Sequence, residues 1–168
     1  IDTVYRRDLP VRFHILGQQF RHQPAEFEAI RAVLDKVAGN RPDLQSCLGF
    51  IEDRGHYLAT LSGSDVVLST AHHDFQGLAV LEACALGCTP LCPDHQVYPE
   101  YLDSRFLYPA PGSPADIPAA AGAVADRLER WLAVKVSGKT LPAYRPEAFA
   151  GETLVPAYRE VFQALMGP

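Results

Sequence analysis

The chain has no positive charge to spare: 15 Lys and Arg stand against 20 Asp and Glu, for a net charge of −5. That balance excludes a basic footprint over the whole surface, so any contact with nucleic acid phosphates has to be local. The one local basic excess lies near the start. There Arg6, Arg7, Arg12, His14, Arg21 and His22 face only Asp2 and Asp8 before Glu26, and the cluster reads as a solvated face. No run of 18 apolar residues occurs, which argues against a membrane span, and the first residues lack the apolar core of a signal peptide. Cysteine is sparse. Cys47, Cys84, Cys88 and Cys92 sit in apolar segments without a CxxC pair, so buried thiols are expected rather than a disulfide framework or a metal site shared with His72, His73 or His95. A reduced, cytoplasmic setting follows. The first residue is Ile1 and not Met, and the chain is read as a piece of a longer one.

What is present is apolar patterning. Nearly half the residues are apolar, at 48% of 168, enough for one sizeable core. Strands are expected over residues 12–16, 46–50, 65–70 and 89–92, with a fifth, edge strand over 105–108. Helices are expected from Pro24 to about Val37, closed by Gly39, Asn40 and Pro42, then around Tyr57, Leu58 and Leu61, and from Gly77 to Leu86. Residues 98–102 form a loop or short helical turn, and 110–118 a connector. A long helix over 119–134 with a core stripe through Trp131 follows, then an irregular stretch and an amphipathic helix over 153–165. Strands alternating with helices indicate an α/β fold, a Rossmann-like, mostly parallel sheet sandwiched by helices. Residues 1–168 are read as one domain, with 119–168 as its helical C-terminal extension.

In such sheets ligands bind outside the carboxyl ends of the strands. Those ends are Gly17-Gln18-Gln19 and the stretches 50–53, 70–77 and 93–100. Gly77 opens a helix, where unpaired N–H groups and a partial positive charge suit an anion. Asp74 and Glu82 lie on either side of that glycine. They read either as acceptors for sugar hydroxyls or as a helix cap and a solvated surface group. One of His72 and His73 points to the crevice or packs in the loop. Glu100 lines the site, while Tyr98 and Pro99 pack.

The string STAHHDFQGLAVLEACALGCTPLCP, followed by VYPEYL, resembles the donor-binding signature of retaining family-4 glycosyltransferases of GT-B architecture. Their pattern is an acid, seven residues and a glutamate, with a glycine between and small residues after: here Asp74, Gly77, Glu82, Ala83, Gly87 and Pro90. The first acid is usually glutamate, so Asp74 is a shortened version. Within that family the string is most similar to the tRNA-queuosine α-mannosyltransferase group. The resemblance implies the C-terminal, donor-binding half of a GT-B enzyme that takes mannose from GDP-mannose, needs no metal and has a tRNA acceptor bound through a missing N-terminal half. It implies that Asp74, with His73, serves catalysis at the donor sugar and that Glu82 holds the ribose. His72 and the backbone of Phe75, Gln76, Gly77 and Leu78 would meet the diphosphate, and Gly17, Phe50 and Ile51 the rest of the nucleotide. The family's upstream Arg-x4-Lys pattern does not occur before Phe13, so the chain by itself is expected to bind donor weakly and transfer nothing. Another donor and acceptor, a non-catalytic nucleotide-binding or interaction module, and a GT-B sugar epimerase stay open beside this reading.

Overall fold

The computed structural model describes residues 1–17 and 25–166. In chain order the helices are α1 (Asp2–Arg6), α2 (Glu26–Asn40), α3 (Arg54–Ser62), α4 (Leu78–Ala85), α5 (Tyr98–Tyr101), α6 (Ile117–Val136) and α7 (Gly151–Met166). The strands are β1 (Ile15–Leu16), β2 (Leu48–Gly49), β3 (Val66–Leu68), β4 (Thr89–Pro93) and β5 (Leu107–Tyr108). The architecture is α/β, with parallel strand pairs flanked by helices, as the alternation predicts. The chain divides into two compact units, one of residues 1–60 and 108–141, the other of residues 61–107 and 142–168. The expected single sheet is therefore two: β1 with β2, and β3, β4 and β5 in that order.

In the first unit β1 and β2 are parallel, with Ile15 opposite Leu48 and Leu16 opposite Gly49. Ile15 N donates to Cys47 O at 2.7 Å and Gly17 N to Gly49 O at 3.1 Å, so the pairing reaches Gly17. Helix α6 buries Ala120, Val124, Leu128 and Trp131, a stripe with the three-to-four spacing of one helix face. Arg7 from the end of α1 pairs with Asp126 and Glu129 of α6, and Arg6 pairs with Asp2. Arg6 and Arg7 thus spend their charge on neighbouring acids, in exposed pairs that solvent screens. Arg21, His22, Gln18, Gln19 and Pro24 lie outside the described residues.

The second unit is built on β4, buried at every position. It runs parallel to β3, with Val66 opposite Thr89, Val67 opposite Pro90 and Leu68 opposite Leu91. Pro90 has no N–H to give, but the ladder to β3 runs through Thr89 N to Asp65 O and Ser69 N to Leu91 O, so the proline costs that ladder nothing. Helix α4 starts from Gly77 at φ +69° and ends at Gly87, φ +101°. Gly87 N bonds Cys84 O and Cys88 N bonds Ala83 O, the paired bonds by which a left-handed glycine closes a helix. Val80 and Cys84 of α4 pack with Cys92 of β4 and with Tyr98, Leu102 and Phe106. The apolar side of α7 stays exposed at Val155, Tyr158, Phe162 and Leu165.

Several boundaries differ from the sequence reading. Helix α2 continues through Gly39 and Asn40, because a single glycine costs a helix only about 1 kcal/mol, and Pro42 opens a 3-10 turn instead. Helix α6 starts at Ile117 with Pro118 in its first turn, where the missing N–H is harmless. The connector holds a 3-10 turn in which Ser113 N and Oγ donate to Asp116 Oδ2 at 2.9 and 2.8 Å. The edge strand β5 is shorter than expected, since residues 104–106 form a 3-10 turn.

Leu91 of β4 is fully buried, whereas Val136 at the end of α6 is mostly exposed. Leu91→Ala is expected to cost about 2–5 kcal/mol and Val136→Ala within about 0.5 kcal/mol, read from chemical denaturation of the two variants. Equal costs would contradict β4 as the core strand.

Candidate functional site

The candidate site is the loop of residues 69–77, between β3 and α4, and the first turns of α4. Its shape follows from the Asp74 side chain, which accepts from Gly77 N at 2.7 Å and Gln76 N at 3.3 Å through Oδ1. This is the local bond by which an aspartate folds its own loop, here just ahead of the helix whose N-cap is Gly77. Oδ2 accepts from the Tyr98 hydroxyl at 2.7 Å. Ser69 Oγ lies 2.7 Å from the same hydroxyl and accepts from Ala71 N at 3.3 Å. A phenol has one proton, and here it goes to Asp74, so the serine donates to the tyrosine. The result is a directed chain from Ala71 N through Ser69 and Tyr98 to Asp74.

Tyr98 is 1% exposed and sits in the core cluster of its unit. Burial raises its pKa most; the hydrogen bond from Ser69 opposes that rise and the bond to Asp74 adds to it, so the hydroxyl remains a donor. For Asp74, burial pushes the pKa up, but hydrogen bonds from Tyr98 and from the N–H groups of Gly77, Gln76 and Phe75 outweigh it and hold the carboxyl below its ordinary value. Tyr101 donates to Gln76 O at 3.4 Å and packs edge-on against Tyr98 and Phe149.

The glycine at position 77 has a reason inside the protein. A Cβ there would meet the Tyr101 hydroxyl at 2.5 Å and Tyr98 Cε1 at 3.0 Å, on a backbone already at φ +69°. Gly77 is thus required by the tyrosines beneath it. On the other side the helix is open. The first helical bond runs from Leu81 N to Gly77 O, so helix geometry leaves the N–H groups of Leu78, Ala79 and Val80 without partners inside the helix. No acidic residue stands in the first turn of α4. Glu82 is half-buried one turn beyond the exposed Leu78, on the same helix face.

His72, His73, Gln76 and Phe75 are exposed, the last at 99%. The structure therefore places His72, His73, Asp74, Phe75, Gln76, Gly77, Leu78 and Glu82 on one loop and helix start. Gly17, Phe50 and Ile51 belong to the first unit, where parallel pairing sets them at the carboxyl ends of β1 and β2. Glu100 is exposed on α5. Cys84 and Cys92 are buried, and burial pushes both thiols up to about 12. Cys88 Sγ donates to Leu61 O at 3.2 Å. Among the described residues no group of three or more His, Cys, Asp or Glu is placed to hold a metal ion. No described helix is long and apolar enough to cross a membrane.

No protein-family model matches the chain. A curated relative, the tRNA-queuosine alpha-mannosyltransferase of Drosophila melanogaster, is 29% identical over 170 aligned residues, covering 96% of this chain. The chain resembles a glycosyltransferase along nearly its whole length. It spans 40% of the length of that mannosyltransferase. Among solved structures, the catalytic domain of cholesterol-alpha-glucosyltransferase from Helicobacter pylori superimposes with a TM-score of 0.47 at 17% identity, over 76% of this chain and 90% of that one.

Beside the residues of the glycosyltransferase-like motif, the structure adds Ser69 and Tyr98. The sequence reading assigned Tyr98 to packing, which it does, but nothing in the string showed that its hydroxyl reaches a carboxylate 24 positions earlier. Gly138, at φ +76° with open space around its missing Cβ, gives a control for Gly77. Gly138→Ala is expected to cost roughly 1–2 kcal/mol for the left-handed backbone alone, and Gly77→Ala about 1–3 kcal/mol more for the tyrosine contacts. Equal losses in thermal or denaturant unfolding would contradict the close packing beneath the loop.

Proposed function

We propose that this chain is the nucleotide-sugar-binding part of a retaining glycosyltransferase of GT-B architecture, one that transfers mannose from GDP-mannose to queuosine in tRNA. The observation that carries the reading is the start of α4. There N–H groups without partners inside the helix and the positive end of the helix meet an exposed loop, with the Glu82 carboxylate one turn along. Such a terminus suits a diphosphate, and a half-buried carboxylate at that distance suits the hydroxyls of a ribose. Mannose, queuosine and tRNA come from the similarity to the Drosophila mannosyltransferase over 96% of the chain. The four free cysteines accord with a cytoplasmic setting.

In this reading the reaction breaks the bond between the sugar and the diphosphate and forms one to the acceptor on the same face. The N–H groups of Leu78, Ala79 and Val80 stabilise the negative charge on the departing diphosphate, and no metal enters the scheme. Leu78 and the exposed Phe75 border the space where the donor lies. His73 is exposed on the same loop, and in this reading it serves the sugar end of the donor. The acceptor is bound by parts of a longer protein.

A non-catalytic nucleotide-binding module is the second reading, favoured by Asp74, whose bonds hold the loop. Calorimetry of the chain with GDP-mannose and UDP-glucose tests the first. GDP-mannose is expected to bind more tightly, and Glu82→Ala to weaken it about tenfold or more, the worth of hydrogen bonds to a charged group. Binding of no nucleotide sugar sinks the donor reading.

A further inference from the structure

We infer that Asp74 and Tyr98 are positioning residues: together they brace the loop ahead of α4, and Asp74 serves the donor by holding that loop rather than by touching the sugar. The inference rests on the nucleotide-sugar reading above and narrows the role of a single carboxylate within it.

An ionised carboxylate has about four acceptor positions. Two on Oδ1 are taken by Gly77 N and Gln76 N and one on Oδ2 by Tyr98, and the Phe75 N–H bonds the carboxylate as well. To turn toward a sugar the carboxylate would give up the Gly77 N–H and the Tyr98 O–H together. Both are short, charge-assisted bonds, and a single sugar hydroxyl replaces only one of them. Tyr98 cannot follow the carboxylate, because its ring is locked in the core cluster of the unit. Its own proton is committed to Asp74, with Ser69 donating behind it. Tyr101 adds a third hold through Gln76 O. The loop is thus pinned from beneath at the amides of Gln76 and Gly77 and at the carbonyl of Gln76. Its outer side chains, His72, His73 and Phe75, face solvent.

The groups that face Asp74 from the packed elements are Tyr98 and Tyr101 of α5 and Cys92 of β4, all held neutral by burial. His72 and His73 precede it in its own loop. Because the carboxyl is held below its ordinary pKa, the brace is intact above that pKa and loosens as pH falls through it. Removing the Tyr98 hydroxyl moves the loosening to higher pH.

Two measurements test the inference, one without ligand. In ligand-free protein, Tyr98→Phe keeps the buried ring and is expected to raise amide hydrogen exchange at Gly77 about tenfold, with the acid onset of exchange at higher pH than in the wild type. Unchanged exchange at Gly77 overturns the brace. In binding, Tyr98→Phe and Asp74→Ala are each expected to weaken GDP and GDP-mannose by the same factor. If Asp74→Ala weakens GDP-mannose while leaving GDP unchanged, the carboxylate touches the sugar and the inference is overturned. If the wild type binds neither compound, the donor reading fails, and the exchange experiment alone decides the brace.

Discussion

One carboxylate organises the second unit of this chain. Asp74 joins the two backbone amides that begin α4 to a phenol on α5, and through that phenol to Ser69 just beyond the end of β3. The left-handed turn at Gly77, the direction of α4 and the packing of Tyr98 and Tyr101 all depend on those bonds. The arrangement is tight enough that the glycine admits no Cβ. A glutamate, one methylene longer, would overshoot the Gly77 amide three residues on. That geometry gives a physical reason for the shortened acid at a position where the glycosyltransferase pattern usually has glutamate.

The same constraint separates two faces of the loop. Its inner face packs on Tyr98 and Tyr101, close enough to meet a Cβ at Gly77. Its outer face carries exposed histidines and a phenylalanine, and leads to the first turn of a short helix, whose amides have no partner within the helix. Charge for an anion comes from the backbone, which suits a chain with more acidic than basic residues. Glu82 differs from Asp74 in place, standing on the helix itself and not in the loop ahead of it. The two acids of one motif thus have separate physical tasks in the proposed donor site.

Much of this was legible in the sequence where local physics decides. The apolar runs around residues 65–70 and 89–92, with Gly77 and Gly87 bracketing the run between them, place β3, α4 and β4 to within two residues. The Trp131 stripe is core by its spacing alone. What could not be read depends on partners distant in sequence. Tyr98 looks like any aromatic in an apolar segment until the fold brings it to Asp74. The strands β1 and β2 pair over two residues instead of five, because a strand's length is set by its neighbour as well as by its own apolar residues. Their separation from the sheet of β3, β4 and β5 likewise has no local signal. Gly39 ends no helix because α2 tolerates it, and proline at position 118 begins one.

The central claim is that the start of α4 holds the diphosphate of a nucleotide sugar. Backbone amide NMR of the chain during addition of GDP tests it most directly. Saturable shifts are expected, concentrated on the amides of Gly77, Leu78, Ala79 and Val80 and reaching Glu82. Shifts that leave those amides unmoved, or none at all at millimolar GDP, would contradict it.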